Sequence, residues 1–68
     1  MHIGEEVIID YKSTNNQDII DTFEEQSNFE GYSRIKDFDD SFIIVEDCDY
    51  PIQLEYVFRL NPETNEWE

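Results

Sequence analysis

Basic residues are scarce in this chain. Only four of its 68 residues are Lys or Arg, whereas eighteen are Asp or Glu, so the formal net charge is −14 at pH 7. The four cations are scattered and form no tract that could neutralise phosphates, which argues against direct binding of nucleic acid. An anionic membrane surface would repel the chain for the same electrostatic reason.

Cysteine and histidine each occur once, as Cys48 and His2. A single cysteine excludes an intramolecular disulfide, and one Cys with one His cannot supply a structural zinc site. Carboxylates on both sides of Cys48 disfavour its thiolate, so we interpret it as a half-buried structural residue. The chain starts without the basic and apolar regions of a signal peptide, and its apolar runs are too short to span a bilayer. We therefore expect a reducing cytoplasm.

Glycine is also rare, and the two present do not form a phosphate-binding loop. Residues 37–41 begin like a calcium loop, but Phe42 stands where glycine is needed and Cys48 where a bidentate Glu belongs. Pairs of carboxylates occur almost everywhere in so acidic a chain and therefore do not identify a catalytic pair. A catalytic pocket is also difficult to build from 68 residues. We expect no enzyme activity, no catalytic or metal-binding residues and no cofactor.

Large apolar side chains are plentiful, in contrast. The chain has nine Ile, five Phe, four Tyr and one Trp. Disordered segments are poor in these β-branched and aromatic residues. The composition therefore predicts that residues 1–68 fold as one small domain with a modest core.

Four segments have the pattern of β-strands: residues 6–11, 29–38, 42–47 and 52–60. Gly31 interrupts the second as a bulge or sharp bend, and residues 39–41 predict a hairpin turn. The clearest strand pattern is that of residues 52–60, where apolar and polar residues alternate over nine positions. This alternation predicts one strand with a solvent-exposed face and a buried face. Pro51 can begin that strand without losing a ladder hydrogen bond. After residues 61–65, which form a turn, Trp67 can fold back onto the sheet.

Residues 13–27 predict either a short helix or an irregular loop. Asn15 or Asn16 can cap a helix, and Asp18 in its first turn suits the helix dipole. Ile19, Ile20 and Phe23 fall at helical spacing and would dock it on the core.

The predicted elements are a strand, a long connection over residues 13–27, and then three strands joined by turns. This order resembles a small SH3-like barrel. The resemblance is carried by Gly4-Glu5-Glu6-Val7-Ile8-Ile9, by the turn at 39–41 and by 52–60. We expect a mainly β domain with one short helix, built as a small antiparallel sheet or SH3-like barrel of four to five strands. An α+β fold, with one helix on a four-stranded antiparallel sheet, is the alternative.

The acidic residues form groups along the chain. Repulsion among the acids at a net charge of −14 lowers the stability of the folded state, and a small domain has little stability to lose. We therefore expect the charge to serve binding. Carboxylates two residues apart on a strand are roughly 6.6 Å apart, comparable with phosphates along one DNA strand. Asp37/Asp39 and Asp47/Asp49 have this spacing, and the predicted helix adds a second acidic row. The expected partner-binding residues are Asp18, Asp21, Glu25, Asp37, Asp39, Asp40, Asp47, Asp49, Tyr50 and Trp67.

In size and charge the whole chain resembles the small acidic inhibitors that bacteriophages make, many of which mimic DNA. This resemblance implies a non-catalytic protein in the bacterial host cytoplasm. It implies a partner with a basic nucleic-acid groove: a nuclease, a CRISPR-type effector, a repair glycosylase or RNA polymerase. Because size and charge define this group, it assigns no role to any single residue.

Exposed aromatic residues would supply the apolar anchor of such a complex, because charge alone raises the association rate more than the affinity. For Tyr50 and Trp67, anchor and core roles are both open, whereas for Tyr32 we favour core packing. The alternative function is an assembly module, monomeric or homodimeric, that pairs through a sheet edge such as residues 6–11.

Overall fold

The computed structural model describes residues 1–27 and 30–68. Within these residues the chain forms one α-helix, α1 (Gln17–Glu25), and two short 3-10 helices, Tyr11–Thr14 and Leu54–Tyr56. The strands among them are β1 (Glu6–Ile9), β2 (Tyr32–Phe38), β3 (Phe42–Val45), β4 (Cys48–Gln53), β5 (Val57–Asn61) and β6 (Glu66–Trp67).

These strands form an antiparallel sheet in the order β4-β3-β2-β1-β5-β6. The mainly β class with one helix is therefore confirmed, although the described residues form six strands and not four or five. The meander β2-β3-β4 follows the helical excursion, and β5 then returns to pair with β1. Strand β6 is the addition to the predicted strands, formed where the sequence indicated that Trp67 folds back onto the sheet. It forms because the chain after residues 61–65 turns back and Leu60 pairs with Trp67.

The core lies between the inner face of the sheet and α1. Alternate residues of β1, β2 and β3 point into it, as the two-residue period of a strand requires. The fully or nearly fully buried side chains form one cluster: Val7, Ile9, Tyr11, Ile19, Phe23, Ile35, Ile43, Val45, Cys48 and Ile52. The rings of Tyr11 and Phe23 stack in this cluster, with 5.2 Å between their centroids.

The predicted strand at residues 52–60 is wrong as a single element. Strand β4 already starts at Cys48, and the chain leaves it after Gln53 and makes a 3-10 turn before β5 begins at Val57. The physical reason is that β4 pairs with β3 at one edge of the sheet, whereas β5 pairs with β1 on the other side of β2. Pro51 consequently lies inside β4 and does not begin it, which an edge strand tolerates.

The helix predicted within residues 13–27 is confirmed as α1. Asn16 caps it, because its side-chain oxygen accepts the backbone N–H of Asp18 at 3.0 Å. Ile19 and Phe23 are buried and Ile20 packs against the same core. Docking of this apolar stripe stabilises a nine-residue helix that would be marginal alone.

The predicted turn at residues 39–41 is also confirmed, and the N–H of Asp39 donates to the carbonyl of Phe42 at 2.9 Å. Strand β2 begins at Tyr32, and Phe29 of the predicted strand lies outside the described residues. Gly31 makes the sharp bend before it, with φ of 78°. The register irregularity of β2 instead falls between Ile35 and Asp37.

Candidate protein-binding surfaces

The exposed side of α1 is acidic. Successive helical residues are about 100° apart around the axis, which places Asp21 about 180° from the midpoint of buried Ile19 and Phe23. The exposed acids of this helix are Asp18, Asp21, Glu24 and Glu25. Three of the predicted site residues therefore share one solvent-facing helix surface.

The end of α1 lies beside the turn that joins β3 to β4. The Gln26 side-chain amide donates to the carbonyl oxygen of Asp47 at 2.5 Å. Thr22 and Gln26 also line a shallow depression together with Asp47, Asp49 and Tyr50. The chain thus brings two acidic groups that are far apart in sequence to one side of the molecule. We call this region the helix–turn surface: Asp18, Asp21, Glu25, Asp47, Asp49 and Tyr50.

The expected row of carboxylates at Asp47 and Asp49 does not form. Asp47 lies in the turn before β4, not in an extended strand, and its carboxylate accepts the Ser33 hydroxyl at 2.8 Å. The carboxylate of Asp49 lies 3.3 Å from the ammonium of Lys36. The two carboxylates therefore have separate partners, and Asp47 is not part of the extended strand that the predicted spacing assumes.

The other predicted acids lie at a different end of the sheet. Asp47 contacts Ser33 near the start of β2, whereas Asp39 and Asp40 lie in the turn after its end. Six residues along a strand separate Ser33 from Asp39, which is roughly 20 Å. Asp37 is also near that end, and its carboxylate accepts the N–H of Phe38 at 2.9 Å. The hairpin acids therefore do not join the helix–turn surface.

Of the three aromatic candidates, Tyr50 is separated from Tyr32 and Trp67. Tyr50 is 46% exposed on edge strand β4, whereas Trp67 is partly buried on β6 at the opposite edge. The predicted core position of Tyr32 is wrong, because its side chain is 39% exposed. Tyr32 is paired with Ile8 on the face of the sheet that points away from the core. There its ring meets that of Trp67 edge-on, with 5.7 Å between the centroids.

The sheet edge proposed at residues 6–11 is also wrong. Strand β1 has β2 on one side and β5 on the other, so its backbone groups are already paired. The edges are β4 and β6. Pro51 and the exposed Asp49 in β4 hinder addition of another strand, and β6 has only two residues.

Sequence reasoning missed an apolar area on the outer sheet face. Ile8 of β1 pairs with Tyr32 on one side and with Phe58 on the other, and Leu60 pairs with Trp67. Phe58 and Leu60 are 38% and 41% exposed. We call the area formed by these side chains the aromatic strip: Ile8, Tyr32, Phe58, Leu60 and Trp67. The sequence feature that indicated this area was Ile8, an apolar residue at a position of the first strand where the alternation expects a polar residue.

One ion pair and one buried position shift pKa values in identifiable ways. The hydrogen bond from Arg59 is the main reason why the pKa of Glu5 is lowered, and it raises the pKa of Arg59 in turn. Burial raises the pKa of the Cys48 thiol, which supports its interpretation as a structural residue. The cysteine is more buried than the half-buried position that we expected, at 2% exposure.

In the part of the chain that the structure describes, no three His, Cys, Asp or Glu residues cluster closely enough to hold a metal ion. No helix among residues 1–27 and 30–68 is both long and apolar enough to cross a membrane. No family model matches the sequence, and comparison with curated proteins and with solved structures finds no similar protein.

Proposed function

We propose that this protein is a non-catalytic inhibitor of the DNA-mimic kind. It binds the basic groove of a nucleic-acid-handling host or defence protein in the bacterial cytoplasm. The observation that carries the proposal is the helix–turn surface, where acids from α1 and from the start of β4 share one side of the molecule. Several carboxylates on one side of a molecule favour binding of an oppositely charged partner there.

The proposed contact combines steering with an apolar anchor. The solvent-facing carboxylates of Asp18, Asp21 and Glu25 attract a Lys- and Arg-lined groove over several ångströms, which raises the association rate. Tyr50 lies beside Asp49 and is nearly half exposed, so its ring is available for burial in the complex. Aromatic side chains at the centre of an interface supply much of the binding free energy.

The target is identified by capture. The tagged protein is mixed with bacterial lysate at low salt, the bound proteins are released by high salt or by duplex DNA, and mass spectrometry identifies them. We expect one enzyme that acts on DNA or RNA and that both treatments release. Recovery of nothing, or of a salt-resistant partner without a nucleic-acid site, would contradict the proposal.

A charge-matched pair of variants then tests the surface. We expect the triple variant Asp18→Asn, Asp21→Asn, Glu25→Gln to weaken target binding about tenfold at low salt, because each exposed ion pair contributes up to about 1 kcal/mol. Titration calorimetry with the purified target measures the change.

The control is Glu63→Gln, Glu66→Gln, Glu68→Gln, which removes the same formal charge at the end of the chain near β6. Equal loss of affinity in the two triple variants would show that total charge matters and that the helix–turn surface does not.

A further inference from the structure

The aromatic strip lies on the opposite side of the sheet from the core and from α1. It crosses four neighbouring strands, β2, β1, β5 and β6, through the pairs of Ile8 with Tyr32 and Phe58 and of Leu60 with Trp67. The contact between the Tyr32 and Trp67 rings connects its two ends. Scattered exposed apolar residues are normal on a protein, but a contiguous apolar area rimmed by charges is typical of an interaction surface.

The charges around the strip differ from those elsewhere on the molecule. Arg34 of β2 lies 4.0 Å from Glu6 of β1. Asp10, Lys12 and Glu30 lie beside Ile8 and Phe58, and Glu5 and Arg59 lie beside Leu60 and Trp67. The four acids and three cations that border the strip therefore sum to −1, whereas the formal net charge of the chain is −14. The outer sheet face is therefore the place where another strongly acidic protein meets the least repulsion.

From this charge balance and the apolar strip we propose that the outer sheet face binds a second copy of this chain. A two-fold axis through the face would bring the cations that border the strip of one copy, Lys12, Arg34 and Arg59, toward the acids that border the strip of the other. A two-fold interface uses the same patch on both copies and so requires a self-complementary surface, which the nearly balanced cations and anions around the strip provide. A strongly basic partner would be attracted to the helix–turn surface instead.

The arrangement also separates the remaining charge. With the outer faces together, the α1 helices of the two copies lie on opposite sides of the dimer, each beyond its own sheet. Exposed charges farther apart than the Debye length of about 8 Å at physiological salt are largely screened. Repulsion between the two copies therefore weakens as salt is added, whereas contact between apolar side chains persists.

Sedimentation equilibrium of the whole chain tests the proposal. We expect a reversible dimer whose dissociation constant falls when sodium chloride is raised from low to physiological concentration. Phe58→Glu places a charge in the strip and should raise the dissociation constant at least about tenfold. A chain that stays monomeric up to millimolar concentration would overturn the proposal.

The matched control is Phe38→Glu. Phe38 is 41% exposed, close to the 38% of Phe58, but it is paired with Ile43, whose side chain is in the core, and so belongs to the other face of the sheet. The dimer should survive this change. Equal dissociation in the two Phe variants would mean that added negative charge acts at a distance, which contradicts the proposed interface.

A second variant separates the loss of apolar contact from the effect of added negative charge. Leu60→Lys reduces the net negative charge, so it weakens long-range repulsion and yet should still dissociate the dimer by disrupting the strip. Circular dichroism spectra establish that each variant remains folded. A dissociation constant that is unchanged in both folded strip variants would overturn the proposal. This inference does not rest on the proposed function, because target capture and self-association are measured separately.

Discussion

Glu5 makes the best-defined polar contact in the structure. Its carboxylate accepts hydrogen bonds from the Arg59 Nε at 2.6 Å and from the Arg59 terminal nitrogen at 3.1 Å. The backbone N–H of His2 donates to the same carboxylate at 3.1 Å. The Glu5 side chain is only 13% exposed, so water screens these contacts less than it screens the other ion pairs. The contacts tie the start of the chain to β5.

We expect Glu5→Gln to lower the free energy of unfolding by about 1 kcal/mol at pH 7, because the charge-assisted, two-pronged contact with Arg59 is lost. Urea unfolding followed by circular dichroism measures the change. Glu6→Gln is the control: its half-exposed carboxylate lies 4.0 Å from Arg34, so its removal should cost less than about 0.5 kcal/mol. Equal effects would show that the Glu5 contact is no stronger than an exposed pair.

The same pair predicts a pH dependence. Arg59 stabilises the ionised form of Glu5 and lowers its pKa in the folded state. The contribution to stability is therefore fully present above the ordinary pKa of a glutamate, about 4.3, and is lost as the pH falls through the lowered value. The stability difference between the native chain and Glu5→Gln should shrink below about pH 4. A difference that stays constant down to about pH 2 would contradict this assignment.

At the scale of the elements, Gly31 determines how the segment between β1 and β2 joins β2. Its φ of 78° lies in the left-handed region, and its carbonyl accepts the N–H of Ile9 at 2.9 Å. A Cβ atom at this position would collide with the backbone carbonyl oxygen of Ile9. The close approach of β1 and the residue before β2 therefore requires glycine for two independent reasons.

Gly31→Ala should lower the free energy of unfolding by about 3 kcal/mol, the sum of backbone strain and a clash with atoms that cannot move aside. Chemical unfolding measures it. Gly4→Ala is the matched control, since Gly4 has a similar φ of 84° but no atom close to the added Cβ. It should cost only the strain, about 1 kcal/mol. If the two variants were equally destabilised, the clash with Ile9 would be excluded as a cause.

For the whole molecule, the net charge of −14 is the largest electrostatic influence on stability. Repulsion among the acids raises the free energy of the compact state more than that of the expanded chain. Raising the salt concentration from about 0.01 to about 0.15 M shortens the Debye length from about 30 Å to about 8 Å. We therefore expect the free energy of unfolding to rise by on the order of 1 kcal/mol over this range.

Thermal unfolding across a sodium chloride series, at a protein concentration where the chain is monomeric, measures this effect. The Glu63→Gln, Glu66→Gln, Glu68→Gln variant should show a smaller salt dependence, because it carries less charge. A melting temperature that is independent of salt would mean that the acids repel one another little. Salt should act oppositely on the two proposed complexes, weakening target binding and strengthening self-association.

Local pattern predicted the elements whose determinants lie close together in sequence. Asn16 and Asp18 indicated the start of α1, the spacing of Ile19 and Phe23 indicated its buried side, and residues 39–41 indicated the hairpin. The composition predicted a folded domain, and the four strand patterns with one helical segment predicted that the domain is mainly β. These features depend on intrinsic propensities and on contacts within a few residues.

Strand partners, in contrast, depend on the packing of the whole sheet. Alternation continues from Ile52 to Leu60, yet β4 and β5 pair with different strands, so the chain must turn between them. The same pairing makes β1 internal and puts Tyr32 and Phe58 beside Ile8 on the outer face. Alternation shows that a strand has two faces, but which face meets the core depends on neighbours that are distant in sequence.

The number and sign of the charges, and the presence of a folded, mainly β domain, follow from the amino-acid sequence alone. Where those charges lie was decided by the tertiary fold. It separated the acids of the hairpin from those of the helix–turn surface, and it placed three of the four cations beside the aromatic strip, where they nearly balance the acids. The physical reason is that net charge is a sum over residues, whereas a surface is defined by which residues the packing of the sheet and helix brings together.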